Sequence, residues 1–118
     1  MSGIRDFNDI MKRILSYENV IGLIILNHEG LLLKSTMEDD ETILYVTHIN
    51  GLVDGTVKMI EKLDPQNSVV VLRVNTKTTE IMIVPERDYK LIVVKKQTNV
   101  LLKPVKRLKK LLTFSIDI

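Results

Sequence analysis

Three short runs constrain this chain more than anything else in it: residues 69–72 (VVVL), 81–84 (IMIV) and 91–94 (LIVV). Each is apolar, largely β-branched and bounded by polar connectors, so each reads as a strand. A strand with one wet face alternates apolar and polar residues. These do not, so the sheet they build must be covered on both faces. The strands are expected over 68–75, 79–84 and 89–95. Their connectors, TKT and PERD, are short and polar, which makes them antiparallel neighbours.

The cover has to come from upstream. Ile4, Phe7, Ile10, Met11, Ile14 and Leu15 recur at three- and four-residue steps and predict an amphipathic helix. Residues 20–26 are apolar and β-branched, NHEG at 27–30 carries turn chemistry, and 31–36 returns as a hairpin strand. A second helix is expected over 41–63. On a helical wheel Tyr45, Ile49, Leu52, Val53, Ile60 and Leu63 share one side, with Val46 and Val57 flanking it. That is an arc of roughly 160°, wider than the ~100° stripe that one sheet requires. Asp64-Pro65 ends it, since a residue before proline avoids the helical region and Pro65 has no N–H to donate. The fold expected is therefore α+β: a helix, a hairpin, a long helix and a three-stranded meander. They form a five-stranded antiparallel sheet with a helix on each face.

At 118 residues, 45 % of them apolar and 27 % charged, the chain has the composition of one globular domain. The absence of cysteine excludes disulfides and thiol chemistry. No signal-like region opens the sequence, and the longest apolar run, 20–26, is far short of the ~20 residues of a membrane span. A soluble protein of the cytoplasm is expected. Charge is unevenly spread. Up to Val94 there are ten Lys/Arg against fourteen Asp/Glu, whereas from Lys95 onward seven Lys/Arg face only Asp117. Residues 1–96 are read as the domain and 97–118 as a basic extension. Its KPVKRLKKLLTF segment predicts a third helix, with Val105, Leu108, Leu111 and Leu112 on one side.

The strand after the long helix lies at a sheet edge in this connectivity. Natural edges are blunted by Lys, Pro or bulges, yet only Arg73 interrupts this one. A bare edge beside a helix with an over-wide apolar arc points to self-association by strand pairing. Gly51 and Gly55 fall inside the helix near Leu44 and His48, away from the main apolar arc. They are either drift on an exposed face or a place where a partner helix approaches closely.

Other chemistry is poorly supported. GLLLKST at 30–36 lacks the second glycine of a phosphate-binding loop. His28 and His48 have no cysteine or convergent acids with which to bind a metal. The acids at 38–41 suit a helix start better than acid–base catalysis. No enzyme activity, cofactor or metal is expected.

The motifs Asn27-x-Glu29-Gly30, Lys34-Ser35-Thr36-Met37, Asp64-Pro65-Gln66-Asn67, Glu80-Ile81-Met82 and Pro85-x-x-Asp88-Tyr89 resemble the roadblock-type dynein light chains. The similarity runs from about Phe7 to Val94. The resemblance implies a roadblock/profilin-like fold and a homodimer, or a heterodimer with a sibling, whose sheets join into one of ten strands. It also implies a non-catalytic light chain of a dynein motor, bound by the dynein intermediate chain in microtubule-based movement. The cytoskeleton, cytoplasmic or axonemal, would then be its place. The alternative from the wider family is a scaffold or regulator of a Ras-like small GTPase. Glycines 51 and 55, Leu32 where a proline is expected, and the extension mark a divergent paralogue. The dimer contacts expected are Val46, Val53 and Val57 from the helix with Val69, Val71 and Arg73 from the strand. In the extension, Lys103, Lys106, Arg107, Lys109 and Lys110 would meet an acidic protein partner. That contact is itself the alternative to a third helix that folds back over the sheet with its lysines simply solvated; an anionic membrane is the lesser alternative, and nucleic acid is not expected. A protein contact made by this basic run should weaken steeply between low and physiological salt, because exposed charges are screened over ~8–10 Å. Titrating the partner at two ionic strengths checks it.

Overall fold

The structure is a computed structural model that describes residues 3–97 and 114–117, with side chains described from Phe7 to Gln97. Helix α1 (Gly3–Leu15) leads into strand β1 (Val20–Asn27) and its hairpin partner β2 (Leu32–Ser35). Helix α2 (Asp39–Leu63) follows, then β3 (Val71–Asn75), β4 (Thr79–Pro85), β5 (Tyr89–Lys96) and a short β6 (Phe114–Asp117). The strand order is β2-β1-β5-β4-β3-β6, antiparallel throughout. The five expected strands are all present. The third begins at Val71 rather than at 68, and the sixth lies at what was expected to be a bare edge.

The two-sided apolar runs divide as strand geometry demands, successive side chains pointing to opposite faces. Ile24, Leu26, Leu72, Ile83, Ile92 and Val94 face α2 and pack with Ile49 and Val53. Leu23, Ile25, Leu91 and Val93 face the other way, where Phe7, Ile10, Met11 and Ile14 of α1 lie over them. The ring of Phe7 meets that of Tyr89 edge-on at 5.1 Å between centroids. This makes three layers, with β1 and β5 sandwiched at the centre.

The family-like motifs turn out to be turn and junction chemistry. The side-chain oxygen of Asn27 accepts from the N–H groups of Glu29 and Leu31, both at 2.9 Å, which shapes the hairpin turn. Gly30 occupies the left-handed region there, with φ of 92°. An added Cβ would also meet the Asn50 carboxamide at 2.8 Å. Thr36 extends the pairing with Leu23, taking its N–H on the hydroxyl at 3.0 Å and donating its own N–H to the Leu23 carbonyl at 2.9 Å. Ser35 and Thr42 share a 2.7 Å hydroxyl contact that ties β2 to the first turn of α2. Asp64 accepts from the Gln66 N–H and the Asn67 carboxamide, closing the turn after α2.

Several expectations need correction. Glu38 stands at the N-cap without a side-chain capping bond, so the acid run serves the helix dipole, through Asp39, Asp40 and Glu41 in the first turn. Leu63 is 72 % exposed. A helix of 25 residues spans ~37 Å, longer than the sheet below it, so its last turn runs past the core. Thr42 and Thr56 hold core-facing positions that a wheel of apolar residues omits. Thr56 satisfies its hydroxyl by donating to the Leu52 carbonyl at 2.8 Å. Lys34 lies in β2 opposite Ile25, an ordinary hairpin position. Most of the expected third helix falls on residues outside the described ones, and where the extension is described, at Phe114–Asp117, it is the strand β6 rather than helix.

Two isoleucines on the paired strands β1 and β5 offer a test of the sandwich. Ile92 is fully buried, whereas Ile21 is exposed. Ile92→Ala should destabilise the fold by about 2–5 kcal/mol and Ile21→Ala by about 0.5 kcal/mol or less, read from urea unfolding midpoints.

Candidate interaction surface

Covering the sheet uses only one side of α2. The opposite side carries Leu44, His48, Gly51, Gly55, Lys58 and Lys62 at alternating four- and three-residue steps, all of them exposed. This is the spacing of a helix–helix seam. Leu44 is 60 % exposed, and Met59, beside the seam about four turns further on, is 42 % exposed. Between them the glycines open a shallow trough, because a Cβ built on Gly51 or Gly55 would find nothing within 4 Å. Gly55, Lys58, Met59, Lys62 and Leu63 line a groove of about 440 Å³ at the C-terminal end of the seam.

Charge along this side is polar in the end-to-end sense. Asp39, Asp40 and Glu41 crowd the first turn and Lys62 the last, with Lys58 one turn earlier, bound to Asp54 at 3.2 Å. Glu41 also bears on Tyr45, whose phenol is pushed above its usual range by burial first and by that carboxylate second.

The expected contact residues do not all reach this surface. Val53 is 4 % exposed and belongs to the core under α2, so as a partner contact it is corrected. Val46 and Val57 are half-buried at the margin of that core. Val69 is half-buried ahead of β3, and Val71 is half-buried within it. Arg73 lies opposite Met82 and reaches Glu80 at 3.4 Å, and Glu80 in turn meets Lys95 at 3.9 Å. The bare edge is also corrected, since β6 pairs along the outer side of β3. Lys103, Lys106, Arg107, Lys109 and Lys110 lie outside the described residues. The exposed side of α2 was legible only as a glycine pair near Leu44. A second apolar margin, Leu31, Leu32 and Leu33 by β2 at the far edge, went unanticipated.

Among the described residues no group of three His, Asp or Glu side chains could hold a metal ion. No helix there is long and apolar enough to cross a membrane. What geometry is present suits docking of another surface.

Known proteins give this arrangement a context. A crystal structure of a Roadblock/LC7 domain from Streptomyces avermitilis is similar to this chain, with a TM-score of 0.65 at 14 % identity. The match covers 86 % of this chain and 92 % of that one. Myxococcus xanthus MglB is similar too, with a TM-score of 0.60 at 15 % identity and 86 % of each chain covered. At such identities these two show the fold alone. Residues 6–96 match the family described as Roadblock/LC7 domain, so the chain is a member of the Roadblock/LC7 family.

Proposed function

We propose that this protein is a non-catalytic, dimeric accessory subunit that presents a two-fold surface to larger partners. The observation that carries this reading is the outward side of α2, where an open glycine trough sits between exposed Leu44 and Met59. A second copy is the occupant whose chemistry fits. Two α2 helices packed antiparallel about the glycines would set Lys62 of one beside Leu44, one turn from Asp40 and Glu41, of the other, twice over, as an isologous contact requires. The absent side chains at Gly51 and Gly55 would let the helix backbones approach closely. Val46 and Val57 would flank the contact, and Val69, Val71 and Arg73 would join it at the β3 margin.

Within that frame we favour a light chain of a dynein motor that gathers intermediate-chain segments and so holds two heavy chains in register. The support is the run of family-like motifs from Asn27 to Tyr89. The second reading is a scaffold or regulator of a Ras-like small GTPase. The bacterial origin of both structural relatives favours keeping it, because their fold is not tied to one motor complex.

Two measurements test these readings. The double variant Gly51→Ala, Gly55→Ala should gain about 1–2 kcal/mol of fold stability from helix propensity. It should nonetheless dimerise at least about tenfold more weakly, or 1.4 kcal/mol, in sedimentation equilibrium. Dimer affinity that rises with stability excludes close packing at the glycines. For the partner, tagged protein purified from native cells should bring down dynein intermediate and heavy chains. Recovery of a small GTPase without them, in a nucleotide-dependent manner, selects the second reading.

A further inference from the structure

A strand has two hydrogen-bonding margins, and β4 takes one margin of β3. The other is held by β6, which sets Asp117 opposite Val71, Ile116 opposite Leu72, Ser115 opposite Arg73 and Phe114 opposite Val74. The pattern of β6 suits this place. Its apolar positions, 114 and 116, fall in register with Val74 and Leu72, and Leu72 belongs to the core under α2. Its polar positions, 115 and 117, fall in register with Arg73 and Val71, on the alternate face. Strand β6 therefore continues the two-faced logic of the sheet by one more strand.

We propose that β6 is an intramolecular latch: it occupies the only margin of β3 to which the β3 of a second copy could pair, so pairing there requires β6 to leave. The proposal rests on the dimer reading above. Its force comes from connectivity. A strand on the same chain meets its site at an effective concentration on the order of millimolar, whereas a second copy arrives at whatever concentration the protein has. At micromolar protein, strand pairing alone would thus lose to β6 by about a thousandfold. A second copy displaces the latch only if it brings further contact, and the seam on α2 is that contact. Yet among the described residues β6 runs for four residues and pairs with β3 alone, so it is short enough to be displaced. The device sets a threshold. Contact at the strand margin alone is refused, while a partner that engages helix and margin together is accepted.

The test compares three proteins by sedimentation equilibrium and by hydrogen exchange at the amides of Val71–Asn75. They are the full chain, a chain ending at Gln97, and the full chain carrying Ser115→Pro and Ile116→Pro. Amides of consecutive strand residues point to opposite margins, so the double proline removes a β3-facing donor whichever register holds, and it leaves the charge intact. Both copies must open, so the open fraction enters squared. A latch open one tenth of the time weakens dimerisation about a hundredfold. Both variants should therefore dimerise far more tightly than the full chain. A peptide of residues 113–118, TFSIDI, added to the shortened chain should weaken its dimer again. Equal dimer affinity in all three proteins overturns the latch and leaves the dimer reading standing. If the amides of β3 lose protection in both variants and neither self-associates, the dimer reading falls, and the competition falls with it.

Discussion

The structure depends on the burial of β1 and β5 from both sides. Leu23, Ile24, Ile25 and Leu26 are consecutive and all are fully buried, as only a strand at the middle of three layers can achieve. Each fully buried aliphatic side chain contributes about 1.5–3 kcal/mol by leaving water, so neither face can be left wet. From this follow a helix for each face and a hairpin order that brings β5 in beside β1. It also follows that α2 is committed to the sheet along one side only.

Most of this was legible because it is local or periodic. The two-faced runs, the helical spacing in α1 and α2, and the Asp64-Pro65 stop each act within a few residues. Departures arise where the answer depends on something distant. A helical wheel treats α2 as endless and so placed Leu63 in a core that ends a turn earlier. It counted apolar residues and so passed over Thr42 and Thr56, whose hydroxyls find partners inside the protein. Val53 was expected both on the apolar side of the wheel and at the partner contact, and its burial leaves it only the first of these places.

The candidate surface was harder to read, for a related reason. Whether a strand edge is bare depends on every other segment of the chain, and Val69 to Val74 carry no mark of the strand that lies beside them. The short TFSID segment was absorbed into a basic extension expected to be helical, because four residues give too little alternation to stand out beside a run of lysines. Gly51 and Gly55 were visible as a spacing. The wheel also set them away from the apolar arc; that a Cβ on either would meet nothing within 4 Å depends on the folded chain.

The pairing of β1 with β5 has a consequence for how the molecule is made. Val20 lies opposite Lys95 and Asn27 opposite Tyr89, so the central ladder joins the beginning of the domain to its end. Closing so long a loop comes before any reward from the contact, and such topologies fold slowly. On the ribosome, the most apolar strand of the chain emerges early and must wait, one side unpaired, until almost the whole domain has been synthesised. The hairpin with β2 is the single ladder it can form in the meantime, which gives the tightly bonded turn at Asn27 and Gly30 a protective task long before the sheet exists.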